Sequence, residues 1–225
     1  TGRGQRVEVA MQDSVLNLCR VKLRDQQRLT RGPLKEYPQY LTNTFGDAVP
    51  RSGNASGGGH PGRALKCEPG GPNDYIYVII QAQVWQPLMK LVGREDLGDH
   101  PDYATPDLRQ PHLDECFKIV EEWTQQRTKY EAMKLLNEVN VPCGPILDMK
   151  ELLEDESLAA QGIMVEVEHP ERGTFKTVGC PLKLSDSPVE VTASPRLGEH
   201  TDEILRELVG YGDKDIEAAR AEGAI

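Results

Sequence analysis

The sequence is short of aromatics, with 2 Trp, 7 Tyr and 3 Phe in 225 residues, and short of positive charge, with 26 Lys and Arg against 36 Asp and Glu. At a formal net charge of −10, and without a basic cluster, it offers no electrostatic footprint for a phosphate backbone or an anionic membrane surface. Neither nucleic acid nor a membrane is expected as a partner. Long hydrophobic runs are missing too. Stretches such as Val78-Ile79-Ile80 fall far short of the ~20 residues that cross a bilayer. The cysteines (Cys19, Cys67, Cys116, Cys143, Cys180) are odd in number and include no C-x-x-C pair, and the histidines show no H-E-x-x-H spacing. Neither a disulfide framework nor a metal site is indicated. No charged-then-apolar leader opens the chain, so a reducing cytoplasm is the expected compartment.

What is present reads as mixed α and β. The chain opens Thr1-Gly2-Arg3-Gly4-Gln5-Arg6 without a Met, as if entering mid-domain. Val7 and Val9 alternate with polar neighbours and predict a short strand, followed by a helix from about Met11 to Leu29 with Asp13 or Ser14 as N-cap. Residues 30 to 74 show no sustained period and are rich in Gly and Pro. Tyr37, Tyr40, Phe45 and Leu65 nevertheless argue against a simple linker. Tyr75–Ile80 is the best strand signal, β-branched and aromatic throughout. A helix around Trp85, Leu88 and Met89 follows, with Pro87 in its first turn. Leu113, Cys116, Phe117, Val120 and Trp123 form a helical stripe, and Thr128 to Glu131 reads as a capping box. Val141-Pro142-Cys143-Gly144-Pro145-Ile146 reads as a stiff turn, leading to a short helix behind Asp148. A hairpin is expected around Pro170 to Gly173, then a helix capped at Thr201 and ended by Gly210, then a last short helix from Asp213.

The most unusual segment is Gly53 to Gly62, with Gly57, Gly58, Gly59 and His60 at its centre. Consecutive glycines lack Cβ atoms, so the backbone can approach a ligand, present several N–H donors and change conformation. The segment matches neither nucleotide-binding glycine pattern. It can serve as a mobile lid or as a flexible surface loop. His60 can touch an anionic substrate or sit in solvent. Cys143 is a candidate nucleophile with His200 as base, but nothing in the sequence depresses its thiol pKa, which favours a small buried hydrophobe. His200 is read as helping to order a helix N-terminus, and Glu151, Glu154, Asp155 and Glu156 as a solvated face or first-turn charges.

Three segments carry a family resemblance: Thr1 to Val7 followed by Ala10 to Leu16, the turn Val141 to Pro145, and Leu197-Gly198-Glu199-His200-Thr201. Each resembles a signature of the class III CoA-transferases. Arg20 to Leu29, Glu36-Tyr37-Pro38-Gln39-Tyr40, and the glycine loop followed by Leu65-Lys66-Cys67 are similar, more narrowly, to the formyl-CoA:oxalate group of that family. The resemblance covers essentially the whole chain, in order.

It implies an α/β to α+β fold: residues 1–29 as the strand and helix leading out of a Rossmann-like large domain, 30–125 as a smaller α+β domain with glycine-rich loop 53–62, and 126–225 as a linker and return segment. It implies transfer of CoA from formyl-CoA to oxalate through an aspartyl-CoA thioester, with Gly57, Gly58, Gly59 and His60 closing over the substrate. No cofactor is bound covalently, CoA thioester being substrate, and no metal is needed. The partners implied are acyl-CoA, a small dicarboxylate and a second subunit in an interlocked homodimer. The nucleophilic aspartate belongs to an N-terminal half of the family that precedes the first residues here, so no residue of this chain matches it, Asp13 included. The loop departs from the group's Gly-Gly-Gly-Gly-Gln by having Ser56 first and His60 last, and Arg63 stands where an aromatic is usual. Alternatives are another acid pair such as succinate or acetate, an acyl-CoA racemase relative, and a non-catalytic assembly module.

Overall fold

The computed structural model describes Gly4, Arg6, and residues 8–29, 48–49, 53–54 and 61–225. It divides into two compact units, residues 1–147 and 148–225.

In the first unit, Glu8 to Ala10 are irregular and Val9 is 75% exposed, so the expected strand does not form among the described residues. Alternation alone cannot hold a strand that has no ladder partner. Helix α1 (Met11–Leu18) breaks at Cys19 before α2 (Arg20–Arg28), where one helix was expected. Its N-cap is Ala10, without a side-chain bond, and Ser14 instead donates back to the Ala10 carbonyl at 3.2 Å. Helix α1 buries none of its residues.

The rest of this unit is built on a three-stranded antiparallel sheet of β1 (Gly62–Lys66), β2 (Tyr75–Ile79) and β3 (Cys143–Ile146), with β2 in the centre. β2 is where expected. β1 lies in the segment that showed no period, and β3 lies in what reads as a turn. Pro145 within β3 and Pro142 just before it are tolerable because β3 is an edge strand, where a missing N–H costs no inner ladder bond. Pro142 still takes part through its carbonyl, which accepts from the Ile79 N–H at 2.9 Å.

Period-2 alternation sends Leu65, Ile76, Val78 and Cys143 to one face, and burial follows it: Ile76 and Val78 are fully buried while Tyr77 is 37% exposed. The core forms where α3 (Trp85–Leu91), α4 (Glu95–Gly98), α6 (Leu113–Thr124) and α7 (Lys129–Glu138) supply Trp85, Leu88, Met89, Leu97, Phe117, Val120 and Leu136, while α5 (Pro106–Arg109) adds none of its hydrophobic residues. The stripe read from the sequence is the buried face of α6. The capping box forms, with the Thr128 hydroxyl accepting from the Glu131 N–H at 3.2 Å and the Glu131 carboxylate accepting from the Thr128 N–H at 2.9 Å. β3 pairs with β2, and this unit runs to Leu147.

The second unit holds α8 (Met149–Glu154), α9 (Glu156–Ala160), the hairpin β4 (Met164–His169) and β5 (Gly173–Val178), α10 (Thr201–Ile204) running into a π-helical turn, and α11 (Asp213–Ala221). The hairpin is where expected. So is Gly210, whose φ of 79° ends the helical run. Thr201 is the first helical residue rather than the cap, which is His200. Asp148 and Glu151 close a second capping box, and Asp155 caps α9. Of the four carboxylates read as a solvated face or first-turn charges, Glu151 and Glu156 lie in the first turns of α8 and α9, and Asp155 is the cap of α9. Only Val167 and Ile216 among the hydrophobic residues of this unit are buried. No helix among the described residues is long and apolar enough to cross a membrane.

Candidate functional site

The glycine segment begins against the free edge of β1 and ends on the side of that strand that faces β2. An edge strand leaves a row of backbone N–H and C=O groups to be satisfied. Here side chains take them. Asn54 donates from Nδ2 to the Ala64 carbonyl at 2.7 Å, and its Oδ1 accepts from the Ala64 N–H at 2.8 Å. Lys66 is met by Glu121, which accepts from its N–H at 3.0 Å, and by Thr124, whose hydroxyl donates to its carbonyl at 2.7 Å. Gly53 before Asn54 has φ +56°, the left-handed region that glycine occupies without a steric penalty.

At the far end of the segment, the Pro61 carbonyl accepts from the Ile80 N–H at 2.9 Å, and Gly62 begins β1. Glycine at 62 leaves room for the half-exposed Tyr77 ring. A Cβ there would lie 2.7 Å from the Tyr77 hydroxyl and 2.9 Å from its ring. Residues 55–60 are thus bracketed by two points fixed to one sheet. Gly57, Gly58, Gly59 and His60 lie outside the described residues.

Arg63, the departure from the family pattern, turns to the core side. It ion-pairs with Asp114 at 2.5 Å and lies 4.7 Å over the Phe117 ring. It locks β1 to α6, and that use of its guanidinium is structural.

The surroundings of Cys143 favour the small-hydrophobe reading. Burial pushes the Cys143 thiol up to about 11, and its sulfur rests against the Met133 carbonyl and the Asn137 side chain. A thiol held protonated is inert. Cys67 and Cys116 are likewise pushed up by burial, to about 11 and about 12. His200 makes no side-chain capping bond at the start of α10. Among the described residues, no group of three or more His, Cys, Asp or Glu side chains could hold a metal.

The Leu197 to Thr201 motif belongs to the second unit, where Gly198 has φ +74° and Thr201 N–H donates to its carbonyl at 3.1 Å. The Glu199 carboxylate accepts from the Arg196 N–H at 2.6 Å, and that bond holds its pKa below the ordinary value. With His169 and Arg172 these residues line a polar cleft of about 520 Å³. His169 is occupied in the hairpin turn, its Nδ1 accepting from the N–H groups of Glu171 and Arg172 at 3.1 and 3.2 Å.

Sequence reasoning missed Asn54 and Tyr77. Asn54 carries a signal after the fact, as an amide between a left-handed glycine and a strand. Tyr77 has none, since only strand register brings its ring over Gly62.

Residues 1–201 match the model of CoA-transferase family III. The chain is 60% identical over all 225 residues to a protein of Streptomyces coelicolor named formyl-CoA:oxalate CoA-transferase, of which it covers 54%. It is 60% identical over 227 aligned residues to one of the same name from Rhodopseudomonas palustris, of which it covers 53%. It thus spans about half the length of the curated relatives it matches. Among solved structures, a CAIB/BAIF family protein from Brucella suis superposes on 91% of this chain and 57% of its own, with TM-score 0.61 at 21% identity. A crystal structure from M. tuberculosis covers 89% of this chain and 48% of its own, with TM-score 0.57 at 21% identity. Those two likenesses concern the fold.

Proposed function

The chain belongs to CoA-transferase family III, and from that premise we propose that it forms part of an enzyme that moves CoA from formyl-CoA to oxalate, giving oxalyl-CoA and formate. The observation that carries this reading is 60% identity over all 225 residues to a relative named for that reaction.

In this reading, the attacking aspartate sits in a part of the enzyme outside these 225 residues. Attack of the aspartate carboxylate on the formyl-CoA carbonyl expels CoA thiolate and leaves a mixed anhydride; the thiolate then attacks the aspartyl carbonyl, giving aspartyl-CoA and releasing formate, so one difficult exchange is split into easier steps. CoA thioester is substrate, and the chemistry asks for no metal or bound cofactor. Gly57, Gly58, Gly59 and His60 form the lid, offering N–H groups to the acid and excluding the water that would hydrolyse the activated acyl group. Support comes from the bracketing of residues 55–60 by Asn54 and Gly62 on β1, since a lid that swings needs fixed ends. A homodimer in the cytoplasm is part of the proposal. Helix α1 supports a covering partner or domain, with Met11 87%, Leu18 77% and Val15 57% exposed on a helix that buries nothing.

The test uses the enzyme extended to the length of its relatives. Formyl-CoA is offered with oxalate, succinate or acetate, and the thioester products are separated chromatographically. Oxalate is expected to be the preferred acceptor; an inert oxalate overturns the substrate assignment. In the same assay Gly58→Val should raise hydrolysis of formyl-CoA relative to transfer. An unchanged ratio overturns the lid.

A further inference from the structure

Arg109, at the end of α5, is 4% exposed. Its Nη1 donates to the Tyr103 carbonyl at 2.6 Å, and its guanidinium lies 4.8 Å over the Trp85 ring. Among the described residues, no carboxylate lies within ion-pairing distance of it. A buried charge normally has a counter-ion, because removing a cation from water costs several kcal/mol. One carbonyl and one aromatic face leave most of its five N–H donors unused. Burial lowers the Arg109 pKa, which still leaves an arginine charged.

Arg109 also lines a pocket of about 380 Å³, walled by Gln83, Trp85, Gln86, Asp99 and Ala104 among others. The floor is rigid: Trp85 is 2% exposed, its indole N–H donates to the Leu97 carbonyl at 3.0 Å, and it stacks on Tyr103 with centroids 5.8 Å apart. Asp99, the acid in the wall, is bonded by the Gln86 amide at 2.6 Å and does not reach Arg109.

We propose that this pocket binds a small monocarboxylate, its carboxylate on the unused edge of the Arg109 guanidinium and its apolar end against Trp85 and Ala104. The planar fork of an arginine matches a carboxylate in two parallel bonds. A single charge is favoured over a phosphate dianion because Asp99 already places negative charge in the wall. The proposal does not depend on the reaction proposed above.

The test is NMR of the 225-residue chain carrying ¹⁵N label, following the Arg109 Nε and Trp85 indole signals during titration with propionate, with chloride and inorganic phosphate as matched controls. A saturable shift of both signals with propionate, weaker with phosphate and absent with chloride, is expected. Arg109→Lys keeps the charge but loses the fork and should weaken propionate at least tenfold. Ala104→Phe fills the mouth from an exposed position, leaves Arg109 in place, and should abolish saturation, so the proposal stands or falls even if Arg109 variants do not fold. A linear response equal to that of chloride overturns the site, as does undiminished propionate binding in Ala104→Phe. Tighter phosphate than propionate overturns the carboxylate assignment.

Discussion

The two units of this chain solve burial differently. Residues 61–147 gather a continuous core from Leu65 to Val141, whereas residues 148–225 bury only Val167 and Ile216 among their hydrophobics and leave Leu182, Leu184, Leu197 and Leu208 between 57% and 106% exposed. The first therefore holds its own geometry, which the pinned ends of the glycine segment need. The second is a hairpin and short capped helices that rely on local bonds. Local caps and turns supply about 1 kcal/mol apiece, while each fully buried large side chain supplies several times that.

The contrast is most easily broken at the core. Leu88→Ala, at a fully buried position, should cost about 4 kcal/mol by urea unfolding, and Ile216→Ala in the second unit about 2 kcal/mol, since the smaller cluster around it can collapse. Equal losses would erase the distinction. Asn54→Ala comes next. Removing two bonds to Ala64 should cost about 1–2 kcal/mol, with a larger relative loss of turnover in the complete enzyme than of stability; unchanged turnover would detach the segment's anchor from catalysis. Thr128→Ala should cost about 1 kcal/mol through α7 alone.

The same capping box predicts a pH dependence. The Thr128 N–H and hydroxyl hold the Glu131 carboxyl below its ordinary value. Its contribution is therefore present above the unfolded value of about 4.3 and is lost as pH falls through the lower folded value. Unfolding midpoints of Glu131→Gln and the parent should converge under acid; a gap that widens as pH falls contradicts the cap. Smallest of all, Leu208→Ser at an 81% exposed site should shift the stability of this chain by less than about 0.5 kcal/mol.

Elements with a strong period or a complete cap were legible in the sequence: β2, α6, the Thr128 box and the 164–178 hairpin. Those missed were decided by partners far along the chain. β1 has only five residues, one of them a glycine under the Tyr77 ring, and its edge is satisfied by Asn54, Glu121 and Thr124 rather than by a strand. β3 looked like a turn because Pro and Gly dominate it, and only its edge position makes that composition a strand. Val7 and Val9 alternate with polar residues in the sequence, yet the described residues Glu8 to Ala10 pair with no strand. The site was legible as composition alone. Gly57 to His60 stand out in any reading, but the features that fix their two ends emerge only from register and hydrogen bonding.

The central claim is tested most directly by oxalyl-CoA formation from formyl-CoA and oxalate, measured first with the 225-residue chain alone and then with a polypeptide supplying the remaining length of its relatives. No turnover alone and turnover on combination is the predicted result. Robust transfer by the 225 residues alone would contradict a nucleophile that lies outside them.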